Sequence, residues 1–387
     1  MARDPKRVVM VADIDLGYPD ARRVHVGEIA RGLVAAGCEV ELVSRGPDPG
    51  IAELRYVAGA GSASGKLSRL TLVNAAAIRR LVAHRRRARS LYVRYDWGVL
   101  PVILAGRALG YRVILEVNAL TTLDGAREGR PGLVREARER IKRAAVVSAW
   151  RSAYRLLPVT ERLRDLLVDG FGAPAERVEI VSNGADVELF APGDREAALR
   201  DLGLSPADEH VLFVGLLAWW NDFATVFAAF ALVLVRRPQA LLLLVGGGEE
   251  QSDVEGLARA AGIAERVRFV GFVAERAVVA RYVTAARVCL SPGTAELAIG
   301  RPMKLAEYLA AGRAVVGSAI PGISEMLAET GGGVAVPPHD AQAMADALCG
   351  LLADPVAADA LGAAARPAIV ERYSWRAIAS RVAAIFQ

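Results

Sequence analysis

The sequence is short of cysteine: Cys38, Cys289 and Cys349 are its three, far apart and without paired spacing. That excludes a disulfide framework and a clustered zinc site, and it fits a reducing compartment. Long apolar runs are missing too. The longest uncharged one, "VFAAFALVLV" from Val226 to Val235, is well short of a membrane span. The N-terminal "MARDPKRVVMVADID" carries too short an apolar stretch for a secretory signal, so a cytoplasmic protein is expected. A dinucleotide fingerprint, G-x-G-x-x-G after the first strand, is replaced by "ADIDLGYPDARR". No G-x-x-x-x-G-K-[ST] loop exists either; "GSASGKLS" (Gly61 to Ser68) imitates one loosely and reads as a flexible loop. There is no G-x-S-x-G elbow, and His25, His84, His210 and His339 lack ligand spacing. His25 alone follows the first strand at the start of a helix. "DID" (Asp13 to Asp15) looks like a metal-binding pair but reads as turn chemistry. Neither a metal nor an organic cofactor is expected.

What is there is a globular composition: 387 residues, 53% hydrophobic and 24% charged, enough for two domains with full cores. The net charge of +5 is modest, but basic residues gather at Ala83–Arg89 and in "VREARERIKRAAVVSAWRSAYR" (Val134 to Arg155). The second cluster, residues 134–155, is a basic amphipathic helix that fits either a water-facing surface or peripheral contact with an anionic membrane. Nucleic acid is not expected, because no recognition motif or aromatic–basic interleaving accompanies the charge.

The order of elements repeats. "RVVMVADID" reads as a buried strand, followed by a helix, a glycine stop and a second strand in "AAGCEVELVS". Such βαβ units build parallel sheets. "SLYVRY", "YRVILEVNA" and "LLPVT" continue the pattern. The polar, proline-bearing "APGDREAALRDLGLSPADEH" reads as the junction, after which "VLFVG", "ALLLLVGGG", "RVRFVGFV", "ARVCLSP", "RAVVGSA" and "GGVAVPP" supply a second set of strands. The expected fold class is α/β, two doubly wound domains facing a cleft: residues 1–190, residues 191–372, and a terminal helix in 373–387 packing back on the first domain. Ligands in such sheets bind outside the carboxyl ends of the strands.

"RPMKLAEYLAAGRAVVGS" (Arg301 to Ser318) holds the strongest candidate site. Pro302 suits a first helical position, and Lys304 then falls in the first turn, against the helix dipole. Either an anion docks there or the lysine is a tolerated oddity. Free N–H groups plus Lys304 make a site for a phosphate, with Arg301 as a second cation. Glu307, three residues on, shares the face and can accept hydrogen bonds from two neighbouring hydroxyls, as on a ribose. The plainer alternative is an intrahelical ion pair.

"PMKLAEYLAAGRAVVGS", with "IPGISEML", "GGGVAVPPHD" and a terminal "ERYSW", resembles the donor-binding domain of the GT-B glycosyltransferases, in particular the retaining family-4 (group 1) type. "VSNGADVELFAP" looks like that group's interdomain segment, and "YPDARRVHVGEIARGLVAAGCEV" like its N-terminal loop and first helix. The resemblance implies two Rossmann-like domains and transfer of a sugar from a nucleotide-diphosphate donor to an acceptor hydroxyl, with retention and no obligatory metal. By that likeness Lys304 and Arg301 hold the diphosphate and Glu307 the ribose. Gly293 and Thr294, in "SPGTAELAIG", border the diphosphate and donor sugar, and Gly215, in "FVGLLAWW", belongs to the nucleotide-sugar site. Gly271 and Phe272 lie along the base, and Asn118, in "EVNA", approaches the donor sugar from the N-terminal domain. Departures from the family pattern are plain: Leu216 stands where an arginine is usual, Asn221 where a lysine is usual, and Ile299 where the first of two glutamates would fall. Trp219, Trp220 and Asp222 then either shape a pocket or cap a loop. Two rival readings follow, a non-catalytic GT-B nucleotide-binding protein and a GT-B sugar-nucleotide epimerase. Polysaccharide, glycoconjugate or secondary-metabolite assembly is the expected setting.

Overall fold

The computed structural model describes residues 6–18, 20–59, 66–118, 133–294 and 301–386, in two compact units. The first takes Met1–Ser182 and Trp375–Gln387, the second Asn183–Ser374. The first unit runs β1 (Lys6–Asp15), α1 (Ala21–Ala35), β2 (Cys38–Arg45), β3 (Arg55–Ala58), α2 (Lys66–His84), β4 (Ser90–Arg94), α3 (Leu100–Ala108), β5 (Arg112–Val117), α4 (Leu133–Ser152), β6 (Arg155–Pro158) and α5 (Glu161–Asp165). Its strands pair in the order β3-β2-β1-β4-β5-β6, all parallel. In β1, Val8 to Ala12 are all buried without alternation, as a parallel strand covered on both faces requires. Asp20 caps α1 by accepting from the N–H groups of Arg22 and Arg23. Asp13 pairs with Arg45 at 2.7 Å, while Asp15 accepts from the Gly17 N–H, so the "DID" carboxylates serve a strand and a turn. The loop expected at "GSASGKLS" is corrected in part: Lys66 to Ser68 open α2, and the rest lies outside the described residues.

The second unit runs α6 (Arg195–Asp201), β7 (Glu209–Val214), α7 (Phe223–Arg236), β8 (Ala240–Val245), α8 (Gln251–Ala260), β9 (Val267–Gly271), α9 (Arg276–Ala285), β10 (Val288–Ser291), α10 (Met303–Ala310), β11 (Ala314–Ser318), α11 (Ser324–Thr330), β12 (Gly333–Val336), α12 (Ala341–Ala353) and α13 (Pro355–Tyr373). Its sheet order is β12-β11-β10-β7-β8-β9, again parallel. Counted from β7, this is the same doubly wound order as in the first unit. The "VFAAFALVLV" run is a core helix, with Val226, Phe227, Phe230 and Val233 buried.

The junction expected in residues 191–210 is instead part of this unit. Asp194 caps α6, and Ala198, Leu199 and Leu204 join a core with Leu212 and Leu305. Polar, proline-bearing surface residues hid a short amphipathic helix. The change of unit falls at Ser182–Asn183, so residues 183–190 belong with the second. The last helix, α14 (Trp375–Ile385), belongs to the first: Ala379 fills the space beside Gly32 of α1, and Trp375 meets the His25 ring edge-on at 5.1 Å.

Candidate functional site

In the second unit the strand order reverses between β7 and β10, so the loops after those strands flank a crevice at their carboxyl ends. The two loops are tied together by the Thr294 N–H donating to the Trp220 carbonyl at 3.1 Å, while the Gly293 N–H donates to Ser318 Oγ, at the end of β11, at 3.0 Å. A Cβ on Gly293 would lie 2.8 Å from the Ile320 Cδ1, so a larger residue there would have to displace the tip of that side chain. Thr294 is buried, and its hydroxyl has no partner among the described residues. The floor of the β7 side is set by Gly215 and Gly246. Gly246 has a φ of 140°, and a Cβ there would fall 1.9 Å from the Gly215 carbonyl oxygen, so that approach demands glycine.

Lys304 stands over this floor. Helix α10 begins at Met303, with Pro302 as its extended N-cap rather than its first helical residue, and no side chain caps it. Lys304 is therefore still in the first turn. Its Nζ donates to Asn221 Oδ1 at 3.1 Å and sits 3.7 Å above the centre of the Phe213 ring. A Cβ on Gly215 would come within 3.4 Å of the same Nζ. Burial pushes the ammonium down to about 7. A ring face and an amide oxygen hold the cation without neutralising it, which leaves its charge available to an anion. Asn221, itself buried, is fixed by its amide nitrogen donating to the Leu216 carbonyl at 2.9 Å.

One turn along α10, Glu307 is almost buried, and its Oε1 accepts from Arg276 at 2.9 Å. The intrahelical Lys304–Glu307 pair is thus not formed; each side chain has a partner on another element. Burial pushes the Glu307 carboxyl up to about 7, with Arg276 pulling down and Asp186 adding to the rise. Next to Glu307, Tyr308 is buried in the core and its Oη accepts from the Val214 N–H at 2.7 Å, pinning α10 to the end of β7.

Arg301 is placed differently from Lys304. It is 6% exposed, and its two terminal nitrogens donate to Tyr373 Oη at 2.9 Å and Glu325 at 3.1 Å. Its backbone carbonyl accepts from Asn183 at 2.9 Å. Gly271 closes β9 at a φ of 83° and gives its carbonyl to the Gly246 N–H, and Phe272 beyond it is 61% exposed. Leu216 is also exposed, at 59%. Asp222 caps α7 and pairs with His339 at 2.8 Å, and the Trp219 backbone N–H donates to Glu250 Oε2 at 2.6 Å. Ile299 lies outside the described residues.

Asn118 belongs to the first unit, at the carboxyl end of β5. Its amide nitrogen donates to Glu116 Oε1, which also meets Arg94 at 2.8 Å and His25 Nε2 at 2.7 Å, while Tyr92 donates to Oε2. Burial alone would raise Glu116, but His25, Arg94 and Tyr92 outweigh it and hold the carboxyl well below the usual range. Sequence reasoning missed Glu116, Arg94 and Arg276. A charged residue near the carboxyl end of an otherwise apolar strand was the available signal for Glu116. Arg276 had none, being distant in sequence from its partner. Among the described residues no group of three or more His, Cys, Asp or Glu side chains is arranged to hold a metal.

Comparison with known proteins places each unit. A model described as glycosyltransferase family 4 matches residues 23–189, and one described as glycosyl transferases group 1 matches residues 208–354. A D-inositol 3-phosphate glycosyltransferase of Kribbella flavida is 32% identical over 55% of this chain and 52% of its own length. The chain thus spans about half the length of the curated relatives it matches first. Sucrose-phosphate synthase from Thermosynechococcus elongatus superposes with a TM-score of 0.77 at 22% identity, covering 98% of both chains. Anabaena HepE, solved in complex with UDP-glucose, gives 0.75 at 16% identity, also over 98% of both. With one family matched on each doubly wound unit, the chain belongs to the GT-B glycosyltransferases of group 1, family-4 type.

Proposed function

We propose that this chain transfers a sugar from a nucleotide-diphosphate donor to an acceptor hydroxyl, with retention of anomeric configuration and without an obligatory metal. The observation that carries the reading is Lys304: an ammonium paired with no described carboxylate, beside an uncapped helix start, at the reversal point of a doubly wound sheet. Breaking the bond between the anomeric carbon and the diphosphate builds negative charge on the leaving group. A fixed cation and helix N–H groups stabilise that charge with no reorganisation at the moment of reaction. The departing phosphate oxygen takes the acceptor's proton as the hydroxyl attacks the same face, so no side-chain base is required. Glu307 accepts from the ribose hydroxyls, Gly293 and Thr294 border the diphosphate and sugar, and Gly271 and Phe272 flank the base. In the first unit, Asn118 at the carboxyl end of β5 has its amide held by Glu116.

The test is release of nucleoside diphosphate from UDP-glucose, the donor named with HepE. The wild-type chain should release it slowly without acceptor, and Lys304→Ala should lower that rate by about a hundredfold or more, within the range for loss of one oxyanion-stabilising group. The melting temperature should stay nearly unchanged. Equal rates would place the diphosphate elsewhere.

One observation favours a second reading, a nucleotide-binding protein without turnover. Arg301 spends both terminal nitrogens on Tyr373 and Glu325, and the family's usual arginine is the exposed Leu216, so Lys304 works with fewer cations. Tight binding of intact donor with no product supports that reading; an epimerised sugar supports neither. Among the described residues no single helix is long and apolar enough to cross a membrane. The exposed Arg140, Ile141 and Arg143 of α4 support peripheral contact with an anionic surface.

A further inference from the structure

We propose that Arg276 is a positioning residue of the donor site, holding Glu307 turned so that one carboxylate oxygen is occupied and the other is presented to the ribose. The inference rests on the reading that Glu307 takes the ribose. Arg276 opens α9, and its guanidinium reaches across to Glu307 Oε1 on α10 at 2.9 Å. Its carbon lies 5.4 Å from the centre of the Phe190 ring, so the fork is stacked on an aromatic face as well as bonded. Among the described residues Glu307 Oε2 receives no hydrogen bond. A carboxylate with one oxygen fixed has its plane and its free lone pairs fixed too, which is the geometry a pair of neighbouring hydroxyls needs.

The charges around Glu307 come from three directions. Arg276 faces it from α9, Asp186 from the segment before α6, and Lys304 and Tyr308 share α10 with it. Burial and Asp186 both favour the protonated acid, and Arg276 alone opposes them. A protonated Glu307 would lose accepting capacity where the ribose needs it. Removing Arg276 therefore raises the pH at which the carboxylate forms, and donor affinity should fall about tenfold for each pH unit below that point. Lys304 titrates in the opposite sense, gaining charge on acidification. It does so in wild type and variant alike, so its effect cancels in the ratio of their affinities.

The experiment is calorimetric titration from pH 5.5 to 9 with UDP-glucose, with GDP-mannose and ADP-glucose alongside. Arg276→Gln should bind about tenfold more weakly at pH 7 and return to within about twofold of wild type at pH 9. Arg276→Lys should keep the wild-type profile. A profile for Arg276→Gln that superimposes on wild type, or a loss of affinity that high pH does not restore, would overturn the proposal and leave the arginine a staple between two helices. Glu307→Gln separates this from the underlying reading. If Glu307→Gln binds every nucleotide sugar as wild type does, or if wild type binds none, the ribose assignment fails and the proposal with it. If Glu307→Gln is weak while Arg276→Gln is normal, only the role of Arg276 fails.

Discussion

At Lys304 an ammonium is held by an amide oxygen and a ring face, and burial lowers it to about 7. An incoming diphosphate favours the charged form, so its affinity for protons rises on binding. Binding of UDP at pH 8 should take up a fraction of a proton per site, seen as a dependence of the calorimetric enthalpy on the buffer's ionisation enthalpy. Lys304→Met should abolish that dependence; an unchanged uptake would assign the proton to another group. That Lys304 and Glu307 stand one turn apart on the same helix was legible from their spacing. Arg301, read as a diphosphate cation from the same stretch, gives its two terminal nitrogens to Tyr373 and Glu325. The direction of a long side chain beside a helix start is set by tertiary partners, which adjacency in sequence does not show. For the same reason Asn221, noted only as a departure from a family lysine, turned out to be the partner of Lys304.

At the scale of elements, the loop from Gly215 to Asp222 and the start of α7 form one device. Asp222 is left-handed at a φ of 46°, accepts from the Thr225 N–H, and pairs with His339, itself left-handed at 61°. Asp222→Ala should lose the cap and keep an unfavourable backbone, costing about 1–2 kcal/mol in urea unfolding. Asp222→Asn keeps a capping oxygen and tolerates that conformation, so its cost should be within about 0.5 kcal/mol. Equal losses for both would make the pair with the exposed His339, and not the cap, the stabilising contact. Apolar runs made the parallel strands legible, since β1, β8 and β10 are buried on both faces and leave no alternation to misread. Helix α6 was not legible, because its few buried residues sit among charges that read as linker. The first residue of α10 was misjudged by one position, since proline fits both a cap and a first turn.

Across the whole molecule, the chain folds one doubly wound sheet, folds a second in the same order, and sends α14 back to the first. That duplication was readable from the restart of strand–helix alternation. The point of change at Ser182–Asn183 was not, because Ala185 and Phe190 enter the second unit's core from a stretch without helix or strand periodicity. The account's central claim is that a nucleoside diphosphate is gripped within the second unit alone, at the start of α10. The most direct measurement is a crystal structure with UDP bound. The account predicts a phosphate oxygen within hydrogen-bond reach of Lys304 Nζ, and the ribose hydroxyls on Glu307. A diphosphate resting on other residues, with Lys304 still bonded only to Asn221, would contradict it.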